Sequence, residues 1–214
     1  MKVLELFAGS RSIGKAAEEL GYEVFSSDIN AFDNINYVCD IMEFDINKLP
    51  FKPDIIWASP PCTGFSVAAI GHHWKIVDGN PVPQTETAKL GITILQKTLA
   101  IIKELDPKYY YIENPRGMMR KMPFMNSMIR KSVTYCQYGD DRMKPTDIWT
   151  NNLNWKPRPM CKNGDSCHIS APRGSRTGTQ GRTDAYDRSK LPHELCIEVL
   201  TECKQHNGAF FTIY

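Results

Sequence analysis

The alternation of two kinds of segment constrains the fold of this chain more than any other feature. Short apolar segments alternate with longer stretches in which apolar residues recur at helical spacing. Five segments read as strands that end near a glycine, a cysteine or an acid: Val3–Phe7, Glu23–Ser27, Tyr37–Cys39, Asp54–Ala58 and Tyr109–Ile112. Helical spacing covers 13–20 and recurs over 86–105. Strands that alternate with helices predict a layered α/β fold with a mostly parallel sheet.

The rest of the chain adds two strands, a loop and a last helix. We expect strands at Ser132–Tyr138 and Asp147–Thr150, so that the sheet has seven strands. We expect a loop over 71–85. Residues 151–190 have few apolar periods, and a helix follows from Pro192 to Cys203. The predicted organisation is therefore a domain over 1–150, a small irregular region over 151–190, and a helix and strand over 191–214 that return to the first domain.

Charge is distributed unevenly along the chain. The net charge of the whole protein is only +2, but residues 1–53 carry a net charge of −4 and residues 154–190 a net charge of +5. A basic segment rich in Gly, Ser, Thr and Arg suits a polyanion. A solvated loop with ordinary surface charge explains the same pattern equally well.

The composition excludes several classes of protein. With 42% hydrophobic and 23% charged residues, extended disorder is not expected, and no stretch has the character of a membrane span. Glu5 interrupts the apolar N-terminal run, which argues against a secretory signal. The odd number of cysteines, 7, argues for a reducing compartment, and we expect a cytoplasmic protein.

Polar residues collect where the predicted strands end: Gly9, Asp28, Asp40, Cys62 and Glu113. Parallel sheets bind ligands at the carboxyl ends of their strands, where a helix N-terminus lies close by. An acid after the second strand suits ribose hydroxyls. An acid after the third strand suits an exocyclic amine. Together these positions predict a site for a nucleoside-bearing cofactor.

The segment Gly9–Lys15 also fits a phosphate-binding loop, G-x-x-x-x-G-K. The next residue of such a loop should be a serine or threonine that holds Mg²⁺, and here it is Ala16. The acid Asp54 precedes its strand instead of ending it. A nucleotide hydrolase is therefore the weaker alternative.

The strongest local signal is Ser59–Ser66, with the sequence SPPCTGFS. Two prolines fix the backbone before Cys62, where a helix N-terminus would favour the thiolate. Glu113 supplies a carboxyl group from the next strand end. A thiolate can add to C6 of a pyrimidine while an acid at N3 offsets the developing charge, so that C5 attacks an electrophilic methyl group. The alternative for Cys62 is a small buried hydrophobic side chain.

These motifs resemble those of the C5-cytosine DNA methyltransferases. LELFAGSRSIG, Asp28, Asp40, SPPCTGFS and IENPRG occur in the order and spacing of that family between about Val3 and Asn151. The resemblance implies the Rossmann-like sheet of S-adenosylmethionine-dependent methyltransferases. It implies that the cofactor is held by Phe7, Ala8, Gly9, Ser10, Arg11, Ser12, Ile13, Asp28, Ile29, Asp40, Ile41, Ser59 and Pro60.

The resemblance also implies a mechanism. Cys62 would be the nucleophile that bonds covalently to C6, and Glu113 would contact N3 of a cytosine flipped out of double-stranded DNA. The family's arginine motif is matched only loosely, so we assign base-side hydrogen bonding to Arg142 or Lys144. Residues expected at the DNA are Ser66, Arg116, Arg173, Arg176, Gln180 and Arg182. Gln180 would fill the space of the flipped base. We expect a monomer of the bacterial or phage-infected cytoplasm.

Departures from the family pattern leave other functions open. Arg11 and Ser12 stand where a second glycine is usual, and Pro115 replaces the common valine. A catalytically degenerate relative that binds DNA or cofactor without turnover is therefore one alternative. Methylation of free cytidine nucleotides or of RNA is another.

A possible metal site lies beside the basic segment. Cys161, Cys167 and His168 cluster in the sequence, and Cys136 on the sixth strand would complete a zinc site with three cysteines and one histidine. The spacing C-x₅-C-H is not that of a standard finger. The alternative is a set of unpaired cysteines in a reduced protein.

Overall fold

A computed structural model of the protein describes residues 1–67, 70–170 and 184–205. Its strands are β1 (Lys2–Leu6), β2 (Glu23–Asp28), β3 (Tyr37–Val38), β4 (Ile55–Ala58), β5 (Trp74–Val77), β6 (Asn80–Pro83), β7 (Tyr109–Pro115), β8 (Arg130–Thr134) and β9 (Pro145–Thr150). Its helices are α1 (Ser12–Glu19), α2 (Ile70–His73), α3 (Glu86–Leu105), α4 (Ala185–Ser189) and α5 (His193–Gln205). None of the helices in these ranges is both long and apolar enough to cross a bilayer.

Within the described ranges, seven strands form one sheet in the order β3-β2-β1-β4-β7-β9-β8. The pairs among β3, β2, β1, β4 and β7 are parallel, and β9 pairs antiparallel with both β7 and β8. The predicted α/β class with a mostly parallel, seven-stranded sheet is therefore confirmed.

The two faces of the sheet bury two hydrophobic clusters, because successive side chains of a strand point to opposite faces. In β1, Val3 packs in a cluster with α1 and α5, whereas Leu4 packs in a cluster with α3. In β4, Ile55 and Ile56 divide in the same way. The result is a three-layer arrangement with helices on both faces.

The last helix, α5, packs against α1 on one face of the sheet. The Tyr22 hydroxyl at the end of α1 donates to the Leu200 carbonyl oxygen of α5 at 3.0 Å, and Leu195 and Val199 are fully buried. Trp155 is also fully buried in the same cluster, so the chain just beyond β9 contributes to the core of residues 1–150.

Capping explains the ends of the longest helix. The Thr85 side chain accepts a hydrogen bond from the Ala88 amide at the start of α3, and Asp106 ends the helix in the left-handed region at φ +43°. Pro107 follows, which a continuing helix would not tolerate. The predicted limits of this helix, 86–105, are confirmed.

Three local predictions were wrong. Residues 71–85 are not a loop, because α2 and the hairpin β5–β6 lie there. The strand predicted at Ser132–Tyr138 is β8, which ends at Thr134. Tyr135–Tyr138 form a short 3₁₀ helix, so Cys136 does not lie on a strand. Glu113 lies within β7, which continues to Pro115. The C-terminal strand predicted within 206–214 falls outside the described residues.

Candidate active site

A cavity of about 310 Å³ opens at the carboxyl edge of the parallel strands. The chain moves from β1 outward to β2 and β3 and then returns to β4 on the other side of β1, so this edge is a topological switch point. The predicted residues that line the cavity are Phe7, Ala8, Gly9, Ser10, Ser12, Asp28, Ile29, Ser59, Pro60, Cys62 and Glu113. The predicted cofactor loop, nucleophile and acid thus share one cavity.

The loop after β1 is bent by unusual backbone geometry. Phe7 and Gly9 have φ values of +58° and +47°, the left-handed region that a phenylalanine rarely adopts. The Gly9 amide donates to Asp28 Oδ2 at 2.9 Å, and the Asn30 amide donates to Asp28 Oδ1 at 2.9 Å. The acid that ends β2 therefore holds the loop after β1 against the cavity.

The same contacts argue against the phosphate-binding loop considered from the sequence. The amide of Gly9 donates to a carboxylate, and the Ile13 amide donates to the buried carboxylate Oε1 of Glu5 at 3.0 Å. A phosphate in this loop would need these amides as donors, but they already donate to the carboxyl groups of Asp28 and Glu5.

Four predicted cofactor residues lie outside the lining of this cavity: Arg11, Ile13, Asp40 and Ile41. Arg11 is buried; its Nε donates to Ser26 Oγ at 3.1 Å, and its guanidinium pairs with Glu18. Ile13 and Ile41 belong to the two hydrophobic clusters. Asp40 caps a short 3₁₀ helix by accepting from the Met42 amide at 2.9 Å.

Sequence reasoning did not assign eight of the cavity-lining residues to the site: Glu5, Asn30, Trp57, Pro61, Thr63, Pro115, Ser189 and Leu191. An acid inside an apolar strand was the available signal for Glu5. Its Oε2 accepts from Ser26 Oγ at 3.0 Å, and the side chain is almost entirely buried. Leu191 enters the cavity from the C-terminal segment, and its amide donates to Ser12 Oγ at 3.1 Å.

Burial raises the pKa of Glu5 from 4.5 to about 7, although hydrogen bonds from Ser26 and the backbone and the charge of Arg11 oppose the shift. The folded state therefore binds this proton more tightly than the unfolded chain does. Stability from this group is fully present below pH 4.5 and is lost as the pH rises to about 7, by about 3 kcal/mol. We expect Glu5→Gln to remove this decline, as measured by urea unfolding across the pH window.

Wild-type protein provides the reference for each pH, so that the difference between the two unfolding curves isolates Glu5 from other carboxyl groups. Glutamine keeps the size and one acceptor of the side chain. Equal pH dependence in both proteins would contradict the assignment.

Three contacts from different elements fix the loop that carries Cys62. Asn114 Nδ2 of β7 donates to the Pro60 carbonyl oxygen at 2.9 Å, and the Met118 amide donates to the Phe65 carbonyl oxygen at 2.7 Å. Trp74 Nε1, at the start of the hairpin, donates to the Gly64 carbonyl oxygen at 2.6 Å. The hairpin that the sequence did not predict therefore supports the predicted nucleophile.

Gly117 allows the close approach of these segments. A Cβ at this position would lie 2.1 Å from the backbone oxygen of Phe65, so no other residue fits without moving the loop. Ser66 forms a bridge to Gly117, which places half-buried Ser66 and exposed Arg116 beside each other. These are the two predicted DNA contacts within the described residues.

The electrostatic environment of Cys62 differs from the expectation. A tight turn follows this residue, with the Phe65 and Ser66 amides both donating to its carbonyl oxygen at 2.9 Å, and not the predicted helix N-terminus. Burial first, and the negative charge of Glu113 second, raise the pKa of the Cys62 thiol. Lys144 and Arg188 act in the opposite direction. The thiol is therefore favoured over the thiolate in the unliganded site.

Glu113 belongs to a buried polar cluster. The Tyr135 hydroxyl donates to Glu113 Oε1 at 3.1 Å, and burial raises the pKa of Tyr135 so that it remains a donor. Lys144 Nζ lies 4.6 Å from the centre of the Tyr135 ring. Burial lowers the pKa of Lys144, and the charge of Glu113 opposes this shift. The Tyr135 hydroxyl and the Lys144 amine thus accompany Glu113, and the charges of Glu113 and Lys144 act on the Cys62 thiol.

The structure separates the two cations proposed for base-side hydrogen bonding. Arg142 is buried, and its Nε donates to Asp140 Oδ1 at 2.7 Å, while the same guanidinium reaches the backbone oxygens of Asp187 and Arg188 at 3.5 and 3.4 Å. Lys144 Nζ donates to the carbonyl oxygen of Arg188 at 2.8 Å. Arg142 therefore docks the end of α4, whereas Lys144 also neighbours Cys62 electrostatically.

The remaining predicted residues fall in two groups. Arg173, Arg176, Gln180 and Arg182 lie outside the described residues. The four proposed zinc ligands, Cys136, Cys161, Cys167 and His168, come together with their ligand atoms all within 4.8 Å of one another.

Comparison with known proteins agrees with this architecture. The family model described as C-5 cytosine-specific DNA methylase matches residues 1–130. A protein named "Probable DNA (cytosine-5)-methyltransferase" from Frog virus 3 (isolate Goorha) is 28% identical, across 95% of this chain and 100% of that protein.

One solved structure shows a similar fold, and a second matches a similar share of the chain. A protein described as a DNA modification methyltransferase of an E. coli prophage has a TM-score of 0.51 at 15% identity, covering 70% of this chain and 46% of that one. The Dnmt2 methyltransferase of S. pombe has a TM-score of 0.49 at 15% identity, covering 73% and 50%. This chain thus spans about half the length of either solved protein.

The predicted class of enzyme, a DNA cytosine-5 methyltransferase, agrees with both the family model and the viral relative. The family model covers well over half of the 214 residues. The chain therefore belongs to the C-5 cytosine-specific DNA methylase family, as its motifs predicted.

Proposed function

We propose that this protein transfers a methyl group from S-adenosylmethionine to C5 of a cytosine flipped out of double-stranded DNA, through a covalent bond between Cys62 and C6. The observation that carries the proposal is the single cavity shared by the loop after β1, Asp28, Cys62 and Glu113. A cofactor pocket and a nucleophile in one cavity can bring two substrates together.

The residues of the cavity fit the proposed cofactor. Asp28 carries a carboxylate suited to ribose hydroxyls, and its neighbour Ile29 is 63% exposed, which suits the apolar face of an adenine. Phe7, Pro60 and Leu191 add apolar surface on other sides. Bound S-adenosylmethionine supplies the electrophilic methyl group that C5 of the base accepts.

The protein groups divide the remaining chemistry among them. As Cys62 adds to C6, its thiol proton passes to the Glu113 carboxylate, which delivers a proton to N3, where negative charge would otherwise accumulate. Tyr135 orients Glu113 through its hydrogen bond, and Lys144 stabilises negative charge on sulfur. Water then takes the C5 proton and the thiolate is expelled; the proton at N3 returns through Glu113 to the sulfur, which restores the free enzyme.

We also propose that 151–190 is the target-recognition region. Arg142 and Lys144 bind carbonyl oxygens near the end of α4, which lies at the C-terminal end of the basic segment and carries Arg188, whose charge lowers the pKa of the Cys62 thiol. The proposal is supported by Ser189, near the end of this region, which lines the cavity. Arg173, Arg176 and Arg182 would contact DNA phosphates or guanine edges, and Gln180 the space of the flipped base.

Sequencing of chemically converted DNA tests the function. We expect cells without cytosine-5 methylation of their own to acquire 5-methylcytosine in one short DNA context when they express this protein. Cells that express Cys62→Ala at an equal level are the control. RNA from the same cells should remain unmethylated; methylation of RNA alone, or of neither polymer, would contradict the proposal.

A further inference from the structure

We infer that Cys136, Cys161, Cys167 and His168 form a structural zinc site that holds the first part of the basic segment against the catalytic domain. The Sγ–Sγ distances of Cys136 to Cys161 and to Cys167 are 3.0 and 3.6 Å. His168 Nδ1 lies 3.8 Å from Cys161 Sγ and 3.6 Å from Cys167 Sγ. The four atoms thus converge on one point from two separate parts of the chain.

The distances match a tetrahedral zinc ion. With Zn–S of about 2.3 Å and Zn–N of about 2.0 Å, ligand atoms at the corners of a tetrahedron are about 3.8 Å apart for two sulfurs and about 3.5 Å apart for sulfur and nitrogen. Of the four pairs given above, only Cys136–Cys161 must lengthen, by about 0.8 Å, and all four ligand atoms lie within 4.8 Å of one another. Three thiolates and one imidazole are a closed ligand set typical of structural zinc.

The local backbone is shaped for this convergence. Between Cys161 and Cys167, the Lys162 amide donates to Asp165 Oδ2 at 2.7 Å, and Gly164 adopts a φ of +97°, which reverses the chain. Cys161 and Cys136 are buried, whereas Cys167 is exposed and gives an ion a path of entry.

The site has a mechanical consequence. The ligands join the 3₁₀ helix after β8 to a segment about 30 residues later, and closing such a loop by a metal restricts the unfolded chain. Next to the ligands, the Ile169 amide donates to the Asp141 carbonyl oxygen at 2.9 Å, and the Cys161 amide donates to Thr134 Oγ1 at 3.1 Å. The metal would thus hold the start of the basic segment beside the β8–β9 edge of the sheet.

Metal analysis of full-length protein, purified without metal-affinity chromatography or chelators, tests the site directly. We expect close to one zinc per chain, and visible absorption typical of tetrahedral thiolate-bound cobalt when Co²⁺ replaces it. The variant Cys161→Ser should bind markedly less metal, and the matched control Cys39→Ser, outside the cluster, should bind as much as wild type. Wild-type protein with little zinc and no tetrahedral cobalt spectrum, or with a Cys136–Cys161 disulfide, would overturn the proposal.

Hydrogen exchange measures the structural role without any need for methylation activity. Removal of zinc should accelerate exchange of the Cys161 and Ile169 amides while those of α3 remain protected. Unchanged exchange at both amides in zinc-depleted protein would refute the fastening role. Because none of these readouts depends on DNA or cofactor, their failure is separate from a failure of the proposed function.

Discussion

Cys62→Ala will not form the denaturation-resistant adduct that wild-type protein forms with DNA containing 5-fluorocytosine at its target. Fluorine at C5 cannot leave as a proton does, so the bond between sulfur and C6 persists in the wild type. Alanine has no nucleophilic atom, and we expect methyl transfer to fall by at least about 10⁴-fold. Gel electrophoresis under denaturing conditions detects the adduct, and transfer of labelled methyl groups gives the rate.

The control for this experiment is Cys39→Ala, which removes a half-buried cysteine that does not line the cavity. It should form the adduct as wild type does. Because burial and Glu113 raise the pKa of the Cys62 thiol, adduct formation by the wild type should also accelerate as the pH rises into the alkaline range. An adduct formed by Cys62→Ala would rule out this sulfur as the nucleophile.

Glu113→Gln should lower kcat, and it should also make the Cys62 thiol easier to deprotonate. The amide keeps the shape of the side chain and an oxygen for the Tyr135 hydroxyl, but it cannot exchange a proton with N3 of the base, so kcat should fall by about 10²- to 10⁴-fold. Removing the carboxylate also removes a negative charge that raises the pKa of the Cys62 thiol. The reaction of this thiol with an alkylating reagent should therefore shift to lower pH.

Tyr135→Phe is the matched comparison, since it removes only the hydroxyl that orients Glu113. We expect a smaller loss of kcat and no shift to lower pH in the alkylation of Cys62, because the negative charge of Glu113 remains. A Glu113→Gln enzyme with the kcat of wild type would exclude Glu113 from the chemistry. An unchanged alkylation profile would instead show that its charge does not reach the thiol.

The elements that local pattern specifies were predicted well. Helix α3 was predicted at its observed limits because apolar spacing and the Pro107 that follows it are local signals. The hairpin β5–β6 was missed because most of its side chains are exposed and its prolines argue against strand. Asp78-Gly79 was the available signal, since both residues take the positive φ that a two-residue hairpin turn requires.

Polar residues were harder to assign. An acid at a strand end can face a ligand or cap a turn, and both occur here: Asp28 lines the cavity, whereas Asp40 caps a 3₁₀ helix. Arg142 and Lys144 are two residues apart, yet Arg142 is engaged by Asp140, whereas Lys144 interacts electrostatically with Glu113 and Cys62. No sequence pattern distinguishes these outcomes, because each depends on a partner brought close by folding.

The sequence by itself determined the α/β class, the order of its main elements and the family, because periodic burial and motif spacing are properties of short segments. Only the tertiary structure decided which polar groups meet. The Cys62 loop is fixed by Asn114, Trp74 and Gly117 from three other parts of the chain, and the buried Glu5 lines the cavity. Charge interactions and desolvation depend on distance in space, which the linear order of residues does not contain.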